Sequence, residues 1–246
     1  MYLTTRGLVL RVTDYNDRDS LLTLLTPNHG KLTVKARGLR RKNSPLSAPC
    51  QLLAYGEFTL FEYRGSYSIN EAVSIELFLQ LRRDLQKLSL GIYFAQVTEV
   101  LSQEDMPSPE LLSLTLNCLH MLSIGASEAK TKAVFELRAG CLAGYMPDLS
   151  GCHLCGSDMP DFFDLSAGVL ECSRCRSFEP SGIRLPVSAG TVQAMQYISS
   201  CESKRLFSFD LGDENMLQLS QITEAYLTTQ LERGFSTLDF YKSLLI

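Results

Sequence analysis

The sequence lacks the motifs of common hydrolytic enzymes. It contains no G-x-x-x-x-G-K-[ST] loop, which argues against a P-loop ATPase. It also contains no G-x-S-x-G or H-E-x-x-H pattern, and its acidic residues do not form the paired carboxylates typical of nucleases. None of its three histidines, His29, His120 and His153, lies near a nucleophile motif. These absences favour a binding protein over an enzyme.

Long apolar segments are also missing. Residues 1–6 do not resemble a signal peptide, and the stretch 88–101 is interrupted by polar residues such as Ser89 and Glu99. No window of about 18–20 apolar residues is available to span a bilayer. We therefore expect a cytoplasmic protein that does not contact a membrane. Because thiols stay reduced there, the eight cysteines are not expected to form four disulfides.

Acidic residues are absent from one N-terminal region. The whole chain has a net charge of −4, but no Asp or Glu occurs between Asp19 and Glu57. Residues 1–64 carry ten Lys or Arg against five Asp or Glu, a balance of +5, so the remainder carries −9. This asymmetry predicts a basic functional surface in the N-terminal part.

Six cations lie in the strand and loop predicted between residues 31 and 42. A period of two places Lys31, Lys35 and Arg37 on one face of the strand, and Gly38 opens the loop. A cationic strip along a small barrel suits a nucleic-acid backbone. We therefore predict nucleic-acid contacts by Lys31, Lys35, Arg37, Arg40, Arg41 and Lys42. The alternative is an ordinary solvated strand face followed by a basic loop.

Several aromatic residues accompany this strip. Tyr15, Phe61, Tyr63 and Tyr67 are candidates for stacking on bases. For each of them, packing in the core or at a strand edge is the alternative.

Hydrophobic periodicity predicts an α+β protein of several domains. Five short strands within residues 1–78, with a hairpin at 64–66, predict a barrel of the OB-fold type. Helical periodicity predicts a helical domain in two parts, 79–148 and 179–246. Residues 149–178 form a cysteine-rich insert. We expect the helices on either side of the insert to pack together and the insert to project from them.

The insert contains two CxxC pairs separated by sixteen residues. This spacing is typical of a tetrahedral zinc site, which predicts Cys152, Cys155, Cys172 and Cys175 as ligands of a structural Zn²⁺. The alternatives are a redox CxxC pair and a catalytic zinc, although four cysteines leave no open position. His153 could replace one cysteine. Cys50, Cys118, Cys141 and Cys201 are expected to be core thiols.

These features resemble the RecO family of bacterial recombination mediators over most of the chain. The resemblance includes residues 6–11, 25–32 and 35–44 near the N-terminus. Its most specific part is Phe135-Glu136-Leu137-Arg138, followed by residues 144–149 and then Cys152. The resemblance implies an OB-fold, a helical domain and a zinc-binding insert in a nucleoid-associated DNA repair protein.

The resemblance further implies partners. It implies binding of single- and double-stranded DNA, annealing of complementary strands, a complex with RecR and a possible role for RecF. It also implies recognition of the acidic C-terminal tail of single-stranded-DNA-binding protein, and indirect help in loading RecA. Lys130, Lys132 and Arg138 are candidates for tail binding, with a buried structural arginine as the alternative for Arg138.

Two functional hypotheses from other classes stay open at this point. A barrel with a zinc ribbon suits a protein of transcription or RNA metabolism equally well on physical grounds. A CxxC pair also suits a thiol oxidoreductase. Preference for RNA would favour the first alternative, and stoichiometric zinc without disulfide turnover would exclude the second.

Overall fold

The computed structural model of the chain describes residues 1–175 and 182–245. Residues 176–181 and Ile246 lie outside it, and with them the end of the predicted insert and the beginning of the segment predicted to follow it. Nine β-strands and six α-helices occur in the described ranges. Among these helices, none combines the length and the apolar character needed to cross a bilayer.

The chain divides into two compact units, Met1–Gly125 with Phe235–Ile246, and Ala126–Gly234. The helices predicted to form one helical domain are therefore found in both units. Helices from before and after the insert do pack together within each unit, as expected. The predicted boundaries of the helical parts stay predictions.

A closed five-stranded barrel forms the core of the first unit, with the strand order β1-β2-β3-β5-β4. Its strands are β1 Tyr2–Asp14, β2 Ser20–Thr26, β3 Gly30–Ala36, β4 Tyr55–Tyr63 and β5 Ser66–Glu76. The predicted barrel and its β4–β5 hairpin are confirmed. Phe58, Leu60 and Val34 are fully buried inside the barrel, because alternate residues of each strand point inward.

Strand β1 closes the barrel because it pairs with both β2 and β4. A register shift between Val9 and Arg11 marks a bulge, and bulges bend a strand enough to reach two neighbours. Gly7 of β1 lies opposite Gly56 of β4. A Cβ atom on Gly56 would lie 2.6 Å from the carbonyl oxygen of Val73 in β5, so this close approach requires glycine.

Three helices complete the first unit: α1 Leu85–Leu101, α2 Pro109–Ser123 and α6 Ser236–Ser243. The Tyr93 ring of α1 meets the Phe235 ring edge-on, with centroids 5.6 Å apart. Between α1 and α2, the buried hydroxyls of Thr98 and Thr115 lie 2.9 Å apart and satisfy each other. Helix α6 has only eight residues, too few for hydrophobic periodicity to predict it from the sequence.

The first helix begins later than hydrophobic periodicity suggests. Apolar residues recur at helical spacing from Leu77 onward, but α1 begins at Leu85, after a short 3-10 turn at Leu81–Arg83. Asp84 is the reason, because its carboxylate accepts hydrogen bonds from the backbone N–H groups of Gln86 and Lys87 and thereby caps the helix. The bond from Lys87 N–H is the main cause that lowers the pKa of Asp84.

The second unit contains three helices and a small sheet. Helix α3 Glu128–Leu142 packs against both α4 Ala189–Ser200 and α5 Asp213–Gln230. Ser188 caps α4 by accepting a hydrogen bond from the Thr191 N–H. The sheet has the order β6-β8-β7-β9, with strands β6 Asp148–Cys152, β7 Phe162–Asp164, β8 Val169–Glu171 and β9 Arg184–Pro186.

A buried ion cluster joins α3 to α5. The Lys132 ammonium lies 3.0 Å from a Glu136 carboxylate oxygen and 2.8 Å from one of Glu224. Thr223 donates its hydroxyl proton to Glu136 across the same interface, at 2.9 Å. Lys132 is only 3% exposed, so each charge depends on the others for compensation.

We expect Lys132→Ala to destabilise the second unit by about 3–5 kcal/mol, because it leaves the Glu136 carboxylate buried without its cation. Chemical denaturation followed by circular dichroism measures this loss. Lys204→Ala is the matched control: this lysine is exposed, and its removal should change stability by no more than about 0.5 kcal/mol. Equal stability of the two variants would contradict the prediction.

Candidate functional site

The predicted basic segment forms a loop, residues 37–43, that leaves the barrel at the end of β3. Gly38 turns the chain with φ +68°, in the left-handed region that favours glycine, and Arg41 N–H bonds to its carbonyl oxygen. The loop lies against the β1–β2 connection, where Arg40 N–H donates to Arg18 O and the Arg40 guanidinium donates to Asn16 O. We call residues 37–43 the basic loop.

Asp19 fastens the basic loop to the barrel. Its carboxylate accepts a hydrogen bond from the Gly38 backbone N–H at 2.8 Å and one from the Asn16 amide at 3.2 Å. The Lys35 ammonium lies 3.2 Å from the same carboxylate. The bond from Gly38 is the largest cause that lowers the pKa of Asp19 to about 2, with smaller contributions from Asn16 and Lys35.

Three of the six predicted cations have partners within the first unit. Lys31 donates its ammonium proton to Glu99 O of α1 at 2.9 Å, and Lys35 is paired with Asp19. Arg40 is exposed but lies 3.3 Å from Asp14. These pairs reduce the charge that the strip offers to a phosphate chain.

The other three cations, Arg37, Arg41 and Lys42, are exposed. Within residues 1–175 and 182–245, no side-chain hydrogen bond or ion pair of these three is found. The structure also places a cation beside the loop that the sequence did not suggest, the exposed Arg18. In the sequence Arg18 lies between Asp17 and Asp19, so it does not look like part of a basic surface. The hydrogen bond from Arg40 N–H to Arg18 O places it beside the basic loop.

The candidate stacking aromatics have different surroundings. The Tyr15 ring lies under the Lys35 ammonium at 4.5 Å, and the Tyr63 ring lies 5.2 Å from the Arg64 guanidinium. Tyr67 packs against the barrel core, which agrees with core packing as the alternative to base stacking. Phe61 points outward and its ring meets the ring of Tyr2. The sequence does not reveal this pair, because the two residues are far apart along the chain.

The four predicted metal ligands converge in the second unit. The Sγ atoms of Cys152, Cys155, Cys172 and Cys175 all lie within 4.8 Å of one another, and those of Cys155 and Cys172 are 3.7 Å apart. A tetrahedral ion with Zn–S bonds of about 2.3 Å would place its sulfurs about 3.8 Å apart. This cluster can therefore hold a metal ion, and its soft, closed donor set suits a structural one.

Hydrogen bonds within the cluster shift the pKa values of its cysteines in opposite directions. Burial raises the pKa of Cys152, but the N–H groups of Cys155 and Cys172, pointing at its sulfur, lower it to about 6. Hydrogen bonds with the Cys155 and Cys172 sulfurs instead raise the pKa of Cys175 to about 12, since they favour its protonated form. Four crowded thiols thus share protons that a metal ion would replace.

The remaining thiols are of a different kind. Burial raises the pKa of Cys50 to about 12 and raises that of Cys118 further. Cys141 and Cys201 are half-buried, and burial raises their pKa as well. None of the four lies within the metal cluster. Cys50 and Cys118 are core thiols, as expected, whereas Cys141 and Cys201 are not fully buried.

The insert packs on the helices of its own unit. Phe163 of β7 is fully buried and meets the Tyr226 ring of α5 edge-on, at a centroid distance of 5.2 Å. Gln230 of α5 donates to Leu165 O, and Gln196 of α4 donates to Leu149 O. Gly156 and Gly168 lie in tight turns of the insert, with φ of +70° and +67°. The expected projecting arm is therefore a sheet fastened to α4 and α5.

The three candidates for tail binding all have intramolecular partners. Lys132 belongs to the buried ion cluster. Lys130 donates to Phe209 O and its ammonium lies 4.4 Å above the Phe209 ring. Arg138 donates to Ile198 O and Ser199 O, at the end of α4, and is half-buried.

We expect the Gly38 amide resonance to titrate with the Asp19 carboxyl, with a midpoint near pH 2. The folded pKa lies below the ordinary value of 3.8, so Asp19 stabilises the loop fully above about pH 4, and the stabilisation is lost as the pH falls through about 2. Nuclear magnetic resonance measures this midpoint. Asp19→Asn should abolish this titration, whereas a midpoint near 3.8 would show that the carboxylate does not hold the loop.

Comparisons with known proteins agree with this geometry. The family of recombination protein O matches twice, through its N-terminal domain at residues 1–78 and its C-terminal domain at residues 82–239. The DNA repair protein RecO of Acetivibrio thermocellus is 34% identical over 99% of this chain and 97% of its own length. The RecO protein of Alkaliphilus metalliredigens is 28% identical over 99% of this chain and 100% of its own length. The RecO protein of Bacillus subtilis is 29% identical over 92% of this chain and 88% of its own length. With an OB-fold barrel, a helical region and a cysteine cluster able to hold a metal, the chain belongs to the RecO family of DNA repair proteins.

Proposed function

We propose that this protein is a recombination mediator. It binds single- and double-stranded DNA, anneals complementary strands, and helps to load the recombinase RecA onto DNA coated with single-stranded-DNA-binding protein. It acts by binding and positioning, and it turns over no substrate of its own.

The observation that supports this proposal most is the set of free cations on the basic loop. Arg37, Arg41 and Lys42 are exposed, and no acidic residue occurs between Asp19 and Glu57. Arg18 extends this charge onto the neighbouring β1–β2 connection. Loops of this kind on an OB-fold attract a phosphate backbone, and charge neutralisation accounts for much of DNA affinity.

The ion in the cysteine cluster is zinc in this proposal. Four thiolates complete a tetrahedral sphere, which leaves no position for a substrate and favours a structural role. The ion would hold β6 and β8 together, since Cys152 ends β6 and Cys172 follows β8. The sheet would then keep its place on α4 and α5.

Protein partners form the second part of the proposal. RecR and RecF are the proposed pathway partners, and the acidic tail of single-stranded-DNA-binding protein is the proposed ligand of the second unit. Lys130 and Arg138 on α3 are the cations proposed to meet this tail. The burial and ion pairs of Lys132 leave it a supporting role in the same helix.

An annealing assay tests the function as a whole. Complementary strands are coated with cognate single-stranded-DNA-binding protein, either intact or without its acidic tail. Addition of this RecO-family protein should make annealing faster. Most of this acceleration should be lost when the single-stranded-DNA-binding protein lacks its tail. Equal rates with and without the protein would contradict the proposal.

We expect Arg41→Glu with Lys42→Glu to weaken DNA binding and to make its salt dependence shallower. For two phosphate contacts, the slope of log affinity against log salt should decrease by roughly 1.4 on single strands. Fluorescence anisotropy at several salt concentrations measures both quantities.

Lys204→Glu with Arg205→Glu is the matched control for charge. These two exposed cations lie next to each other in the second unit, and their reversal changes the net charge equally. Affinity and slope should stay near the wild-type values in this control. Equal effects of the two double variants would mean that overall charge, and not the basic loop, determines binding.

We expect one zinc ion per chain, and its loss in Cys152→Ser or Cys175→Ser. Without the ion, protease cleavage within residues 149–175 should become faster, because metal binding is coupled to local folding. Metal analysis and limited proteolysis measure the two effects. Cys201→Ser is the control and should retain the ion, since Cys201 lies outside the cluster. Unchanged proteolysis of the metal-free protein would contradict this role.

A further inference from the structure

A cavity of about 300 Å³ opens on the outer surface of the barrel. Its volume is at the lower end of the range of about 300–1,000 Å³ found for small-molecule sites. Six residues line it: Tyr2, Arg37, Phe61, Ser68, Ile69 and Asn70. We call it the outer pocket.

Strand register brings these residues together. Tyr2 of β1 lies opposite Phe61 of β4, and Phe61 lies opposite Ser68 of β5. Ser68 in turn lies opposite Lys35 of β3, two residues before Arg37. The pocket therefore extends across four neighbouring strands, from the two aromatic rings to the beginning of the basic loop.

The two aromatic rings form an exposed apolar surface. Tyr2 is 62% exposed and Phe61 is 39% exposed, and their ring centroids are 5.3 Å apart with the planes tilted by 57°. The neighbouring inward residue Leu60 is fully buried. Leu60 is therefore part of the core, whereas both rings are exposed to solvent. A ligand that covers these rings would bury their apolar surface, which is favourable.

The rest of the lining is polar and carries positive charge. Arg37 supplies a guanidinium that has no ion-pair partner in the part of the chain that the structure describes, and Ser68 and Asn70 supply hydroxyl and amide groups. Among the described residues that line the pocket there is no carboxylate. A ligand that fits this lining is flat and aromatic, has hydrogen-bonding edges, and carries a nearby negative charge.

We propose that the outer pocket holds one unpaired nucleobase of single-stranded DNA. The base stacks on the Phe61 ring and touches the Tyr2 ring, which is tilted by 57°, with its rim. Its hydrogen-bonding edge meets Asn70, and Arg37 meets the adjoining phosphate. This inference rests on the proposed DNA binding and adds a specificity to it. Bases in a duplex are already paired and stacked, so the pocket favours single strands, whereas the exposed cations of the basic loop bind either form.

Tyr2→Leu with Phe61→Leu tests the pocket, because leucine keeps the surface apolar but cannot stack. Affinity for an oligothymidylate strand should fall roughly 5- to 150-fold, because the stacking of one base is lost. Affinity for duplex DNA should stay within about twofold, and the salt slope should not change, because no phosphate contact is removed. Circular dichroism verifies that the double variant is folded.

Phe240→Leu is the matched control. Phe240 is an exposed aromatic residue of α6, and it does not line the pocket. Its replacement should leave both affinities unchanged. Tyr2→Phe is the conservative variant, and it should retain single-strand binding because the ring is kept.

A second measurement does not depend on affinity. The chain contains no tryptophan, so Phe61→Trp introduces a single tryptophan, whose emission can be excited separately from that of the ten tyrosines. Oligothymidylate should quench its emission by stacking on the ring, and duplex DNA should leave the emission nearly unchanged. The emission of the Phe240→Trp variant should respond to neither.

The outcomes separate this inference from the proposed function. If the wild-type protein shows no salt-dependent binding to any DNA, the proposed function fails. If the wild type binds DNA but the leucine double variant binds single strands equally well, the outer pocket is not a base site. Equal losses on single strands and duplex, or quenching of the Phe61→Trp variant by duplex, would also overturn the inference.

Discussion

The pairing of β1 with two strands is the constraint on which the first unit depends. Because β1 bends at its bulge and reaches both β2 and β4, the sheet closes and every residue is assigned to the inside or the outside. Closure buries Val34, Phe58 and Leu60. The same alternation places Tyr2 and Phe61 on the outer surface. The barrel core and the candidate DNA surface are therefore two consequences of a single register.

The cations of the barrel fall into two groups, those with partners inside the unit and those without. Lys31 ties β3 to α1, and Lys35 helps Asp19 to hold the first turn of the basic loop. These anchored groups fix the position from which Arg37, Arg41 and Lys42 extend into solvent. A loop held in this way loses less conformational freedom when it binds a ligand, which preserves affinity.

The second unit is stabilised by specific polar groups as well as by apolar packing, and it carries a cysteine cluster able to hold a metal ion. The cluster of Lys132, Glu136 and Glu224 compensates charges that would otherwise be costly to bury between α3 and α5. The four cysteines can fix the turns of the small sheet, which packs through Phe163 on Tyr226. The Phe135–Arg138 stretch, the most specific part of the family resemblance, thus contains Glu136, a central member of this network.

Strand alternation, CxxC spacing and motif order are local properties, so the sequence alone predicts the barrel strands, a cysteine cluster able to hold a metal, and the family. The late start of α1 after Asp84 and the helix α6 were missed, since capping and docking outweighed periodicity. Which cations are free depends on tertiary contacts. Lys31 and Lys35 look equivalent to Arg37 in sequence, but Glu99 and Asp19 approach them from distant segments. Likewise, Tyr2 and Phe61 meet only because barrel closure places β1 beside β4.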